Sequence, residues 1–227
     1  MKKLIVLIVF LICILIFSGC KINDNNMIYS KVEDEIDYIE NEILIDVNKY
    51  IKEEYFEGEN IINWNSINND FQKINGTLDT IMIDLSELQI SNEELISFRN
   101  NLNNILIAIG NEDEKEFLDS CSYFYSYLPI FLGNISSDVH KINIITLKSY
   151  ILLCYTECNF LDWNGAKETI ILAENKYNEM INDAEFMQEY SYNLNRAYIV
   201  LEEFKSAVET ENLELVKNKY INFIEEF

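Results

Sequence analysis

From residue 30 to the end of the chain, apolar side chains return every three or four residues, and that spacing belongs to one kind of element. Val32, Ile36, Ile39, Ile43, Val47, Tyr50 and Ile51 fall on one face of a helix, because 3.6 residues per turn stack positions i, i+3, i+4 and i+7 above one another. A second stripe runs through Ile67, Phe71, Ile74, Leu78 and Ile81. A third follows Leu95, Phe98, Leu102, Ile105 and Ile109, and a fourth Phe117, Cys121, Phe124 and Leu128. The strict alternation of a half-buried strand is nearly absent. One Pro and six Gly among 227 residues are too little turn punctuation for a β-sandwich or a Gly-rich nucleotide fold. The expected class is all-α. Ser30 with Glu33, and Ser91 with Glu94, have capping-box spacing at helix starts. Gly110, Pro129 and Gly133 are expected to end helices.

The chain also matches itself. Shifted by 99 residues without a gap, Ile61-Ile62-Asn63-Trp64-Asn65 lies over Phe160-Leu161-Asp162-Trp163-Asn164. In the same register Ile43 meets Ile142, Lys49 meets Lys148, Leu95 meets Leu194, Leu102 meets Leu201, Ala108 meets Ala207 and Phe124 meets Phe223. Duplication predicts two tandem four-helix units, 30–134 and 135–227, forming a helical-hairpin repeat array of the solenoid, tetratricopeptide-like kind. Trp64 and Trp163 are the two tryptophans of the chain and mark the same place in each unit. Asn63 and Asp162 are N-cap residue types, so each ring is expected in a first helical turn, covering a corner between helices.

A different segment precedes this body. Met1-Lys2-Lys3 is basic, and Leu4 to Phe17 is an unbroken apolar run of 14 residues. A helix needs about 20 residues to cross a bilayer core of roughly 30 Å, so the run has the length of a signal-peptide core. It closes on Phe17-Ser18-Gly19-Cys20, which resembles the lipobox of bacterial lipoproteins. There, small residues let a signal peptidase cut before a cysteine that carries diacylglycerol. The resemblance implies a signal helix over 1–19, with Phe17, Ser18 and Gly19 as the cleavage recognition sequence and Phe17 departing from the usual Leu. It implies lipidation at Cys20, a lipidated tether over 20–29, and the membrane as a partner. The implied location is the outer face of the cytoplasmic membrane in a Gram-positive cell envelope.

A second resemblance lies in the body. Asp162-Trp163-Asn164-Gly165-Ala166, with Glu174, Tyr177, Met180, Leu194, Ala197 and the run Ala207-Val208-Glu209-Thr210-Glu211-Asn212, is similar to a group of small clostridial helical proteins. These carry an N-terminal membrane segment and an Asp-Trp-x-x-Ala helical unit. The likeness covers 137–227 and, more weakly, 38–128. It implies a helical, extracytoplasmic protein and carries over no catalytic residue.

Charge and reactive residues narrow the function. Asp and Glu outnumber Lys and Arg by 39 to 17, a net charge of −22 that repels a phosphate backbone and argues against nucleic acid as a partner. The single histidine, His140, is too few for a His-rich metal site or a Ser-His-Asp scheme, and is expected at the surface or at a helix cap. Beyond Cys13 and Cys20, the odd number formed by Cys121, Cys154 and Cys158 excludes a complete disulfide framework. Cys154 and Cys158 lie four apart on one helix face and read as small core residues. The acidic runs Glu33-Asp34-Glu35 with Asp37, Glu53-Glu54 with Glu57 and Glu59, and Glu112-Asp113-Glu114 with Glu116 have neither a Glu-x-x-His pair nor an EF-hand loop beside them. They read as solvated helix faces. No catalytic residue, metal ligand or cofactor is assigned. The expected function is a membrane-tethered scaffold that binds a protein or peptide without catalysis. The alternative is a substrate-binding lipoprotein serving a transporter, with a cell-wall hydrolase using paired carboxylates behind both.

Overall fold

The computed structural model describes residues 27–52 and 62–226. The signal segment 1–19 with Phe17, Ser18 and Gly19, the lipidation residue Cys20, the first part of the expected tether and the acidic run Glu53 to Glu59 lie outside the described residues. The described chain is all-α, with eight helices and no strand. They are α1 (27–52), α2 (Trp64–Glu87), α3 (Asn92–Asn111), α4 (Glu114–Ile135), α5 (Val139–Asn159), α6 (Trp163–Ile181), α7 (Ala184–Glu209) and α8 (Leu213–Glu226). Every residue of the four stripes is buried, because each helix hides its apolar face against its neighbours.

From α2 onward each helix packs against the next in the chain, and α5 also packs against α8. That last contact closes the second four helices on themselves, as in an up-and-down bundle. An open solenoid would instead send each helix on to the next hairpin. In the first half α1 closes the set: Tyr50 meets the edge of Phe117 of α4 at 5.5 Å, and Lys31 pairs with Asp84 of α2 at 2.7 Å. Helix α1 also reaches α5 through Glu40 and Lys148 and α8 through Lys52 and Glu225. One apolar core therefore runs through both halves.

Several helix ends fall elsewhere than the local signals suggest. Helix α1 is already helical at residue 27, so Ser30 and Glu33 lie inside it. Ser91 and Glu94 do form a complete capping box on α3. Gly110 stays helical, and the left-handed residue that ends α3 is Glu112, with φ 55°. Pro129 and Gly133 both lie inside α4, which continues to Ile135. The missing N–H and the ring clash cost about 3 kcal/mol, but Leu128, Phe131 and Leu132 around it are fully buried, and their packing carries the helix through. The expected unit boundary at 134/135 consequently falls within the last turn of α4, and the chain crosses at 136–138.

Cap geometry recurs at the 99-residue spacing. Asn63 and Asp162 share φ −83° and ψ 71°, and each accepts at 3.1 Å from the N–H three residues on, that of Ser66 and that of Gly165. Glu112 and Glu211 are left-handed at 55° and 53°. After them the N–H groups of Asp113 and Asn212 bond the carbonyls of Ala108 and Ala207 at 2.9 and 3.0 Å, the six-to-one closure of a Schellman motif. The α2–α3 corner does not recur: Gln89 is left-handed there, whereas Gln188 lies within α7.

Leu161 ends α5 in the same left-handed way, with φ 61°, and its side chain is 65% exposed. A branched side chain pays a steric cost in this conformation that glycine avoids. The change Leu161→Gly is expected to raise stability by about 1 kcal/mol, read as a higher midpoint of thermal unfolding with an unchanged helical circular-dichroism signal.

Candidate functional site

Trp64 opens α2 half-buried. Its ring stands edge-on to Phe117 at 5.5 Å and tilted to Tyr50 at 6.0 Å, while Phe117 also meets Phe71 at 5.8 Å. The ring thus closes the end of the first bundle where α1, α2 and α4 converge. Beside it Tyr50 donates to Glu114 at 2.9 Å. Trp163 holds the equivalent place on α6, half-buried against the core. Two residues later, a Cβ on Gly165 would stand 2.8 Å from Asp162 Oδ2 and 3.1 Å from Glu157 Oε1. That crowding explains a glycine in a first helical turn. Neither tryptophan lines the cleft or the groove described next.

The densest charge lies where α1 meets α5. Lys148 Nζ stands 2.9 Å from Glu40 Oε1, with both side chains less than a tenth exposed, and Tyr125 of α4 donates to the same oxygen at 2.9 Å. Along the same face, Lys141 pairs with Glu33 at 3.0 Å and Asp37 at 2.6 Å, and Ser136 donates to Glu33 at 3.0 Å. Burial pushes the Asp37 carboxyl above the usual range, against the pull of Lys141. Lys141, Lys148, Asp37 and Glu40, with Asp138 and Tyr190, line a cleft of about 340 Å³. Lys141 and Lys148 neutralise carboxylates across it, so the seam joins the two halves electrostatically.

The other residues singled out from the sequence are also engaged. His140 is neither loose nor a cap: its Nε2 lies 3.6 Å from Asp183 Oδ2, and its ring stands edge-on to Phe186 at 4.8 Å. It pins the start of α5 to the start of α7. Asp183 caps α7 by accepting from the N–H groups of Phe186 and Glu185, which holds its carboxyl below the usual range. Asp113 caps α4 and Glu116 accepts from Ser120 at 3.1 Å, so that acidic run is partly wired into the helix start. Cys121, Cys154 and Cys158 are buried free thiols. Burial pushes Cys121 up, and the hydrogen bond with Cys158 followed by burial does the same for Cys154, which keeps both as unreactive thiols. Among the described residues no group of three or more His, Cys, Asp or Glu is placed to hold a metal ion.

The sequence reading missed two features. Glu40 and Asp46 are polar residues buried at 6% and 1% exposure within α1. Their signal was that α1 also carries Leu44 and Ile45 beside its stripe, so it has apolar groups on more than one side. The second feature is an open groove of about 610 Å³ between the end of α2 and the start of α3, floored by Met82, Ile83, Leu95 and Ile96 and edged by Glu87. Ile83 is 69% and Ile96 60% exposed. Compared with known protein families, curated proteins and solved structures, the chain matches none.

The buried pair makes a direct prediction. Lys148→Met strands the Glu40 carboxylate in the core and is expected to remove about 3–5 kcal/mol of stability, measured by denaturant unfolding. Adding Glu40→Gln to that variant should restore most of the loss, because no unpaired charge is then left inside.

Proposed function

We propose that the chain is a lipoprotein held by Cys20 to the outer face of the cytoplasmic membrane, where it serves as a non-catalytic helical scaffold for a protein or peptide. The observation that carries the binding reading is the α2–α3 groove: two isoleucines stand exposed on a floor of apolar side chains, in a chain of net charge −22. Such a surface suits a cationic segment with apolar anchors, since the floor supplies desolvation and the acidic surroundings supply attraction. The lipobox and the likeness to membrane-anchored clostridial helical proteins support the location. No described helix is long and apolar enough to cross a membrane. We read the body as a duplicated four-helix unit, supported by the paired caps at Asn63 and Asp162 and the paired left-handed residues Glu112 and Glu211.

Six residues separate Cys20 from Met27, and the seven steps between them reach at most about 25 Å. The start of α1 and the adjoining α2–α3 corner then face the bilayer, and the groove lies near the juxtamembrane part of a partner. Metabolic labelling with a fatty-acid analogue is expected to mark the wild-type chain and not Cys20→Ala; equal labelling of both refutes the anchor. Ile83→Ser with Ile96→Ser, which removes the apolar floor without adding charge, is expected to cut crosslinking to a Lys/Arg-rich amphipathic peptide at least tenfold while leaving the circular-dichroism spectrum unchanged. Undiminished capture moves binding away from this groove.

A further inference from the structure

Asp46 sits in the middle of α1 with 1% of its surface exposed, and both carboxylate oxygens are buried without a hydrogen-bond partner. Tyr38, Glu42 and Lys49 flank it on α1, Asp70 and Lys73 face it from α2, and the Cys121 thiol faces it from α4. Tyr220 of α8 lies behind that thiol. Neither cation hydrogen-bonds it: Lys49 donates to Ser66 at 2.5 Å and Lys73 pairs with Asp70 at 2.7 Å. In the 99-residue register Asp46 corresponds to Ile145, itself buried at 3% exposure. An alkyl side chain therefore serves the equivalent place in the second half, and packing gives no reason for a carboxyl here. A charged carboxylate in such a seat is strongly disfavoured, and the group holds its proton instead.

We propose that Asp46 is a proton-operated latch: its neutral carboxyl lets α1 lie closed against α2 and α4, and loss of that proton to water opens this part of α1. The segment also carries Glu40, whose bond to Lys148 ties the two halves together, so opening α1 loosens the seam. Burial first, and then the charge of Asp70, push the carboxyl up to about 7, while an opened α1 returns it to the ordinary value near 3.9. The closed form binds more protons than the open form between those values. Closure is thus fully favoured below about pH 4 and is lost progressively as pH rises to about 7, by about tenfold in the open population per pH unit.

Hydrogen exchange on the full chain between pH 5 and 8, corrected for intrinsic rates, tests this. Protection of amides 39–52 in α1, relative to those of α6, is expected to fall about tenfold per unit up to pH 7 and then to level off. Asp46→Asn and Asp46→Ile are expected to abolish the slope. Should Asp46→Asn fail to fold, Asp46→Ile, which copies Ile145, carries the comparison. The latch is overturned if wild type and variant share one slope, or if α6 loses protection in step with α1.

Discussion

Helix α1 buries Val32, Ile36, Ile39, Ile43, Val47 and Ile51 completely, and the polar Glu40 and Asp46 almost completely between them, because it packs against helices of both halves. Through Trp64 and Phe117 it completes the first bundle. Through Lys148, Lys141 and Glu225 it meets the second. A helix buried on one stripe only would leave two separate four-helix sets. Burial on several sides makes one core of them, and it forces the buried carboxyls of α1 to find a partner or shed their charge.

Those two outcomes appear within two turns of one helix. Glu40 has its partners, with Lys148 and Tyr125 converging on a single oxygen. Asp46 has the opposite surroundings, with two nearby carboxylates and two lysines already engaged. The same burial therefore produces a clamp at one position and a protonatable group at the other. Both sit on α1, the helix that touches both halves.

The surface divides along similar lines. Lysines are few, and several hold carboxylates of other helices, as Lys31 does with Asp84 at 2.7 Å and Lys205 with Glu174 at 2.6 Å. Excess acid is left facing solvent over most of the molecule, and the α2–α3 groove stands out as an apolar floor within that field. It forms where the two halves differ: α2 runs on to Glu87 while α6 stops at Ile181. The longer α2 carries Ile83 and Glu87 past the point where its counterpart has already turned.

The amino-acid sequence by itself determined the helical class, the four stripes, the capping box at Ser91 and the N-caps at Asn63 and Asp162. These depend on contacts within one or two helical turns, where periodicity and side-chain type decide the outcome. It misplaced the ends at Gly110 and Pro129, because burial of Leu128, Phe131 and Leu132 and the closure onto Ala108 outweighed local preference. Only the tertiary structure decided that Glu40 meets Lys148, that Asp46 is left without a partner, and that Ile83 stands beside Ile96. Each of these joins separate helices, the first across more than a hundred residues of chain, and such meetings are fixed by how whole helix faces pack.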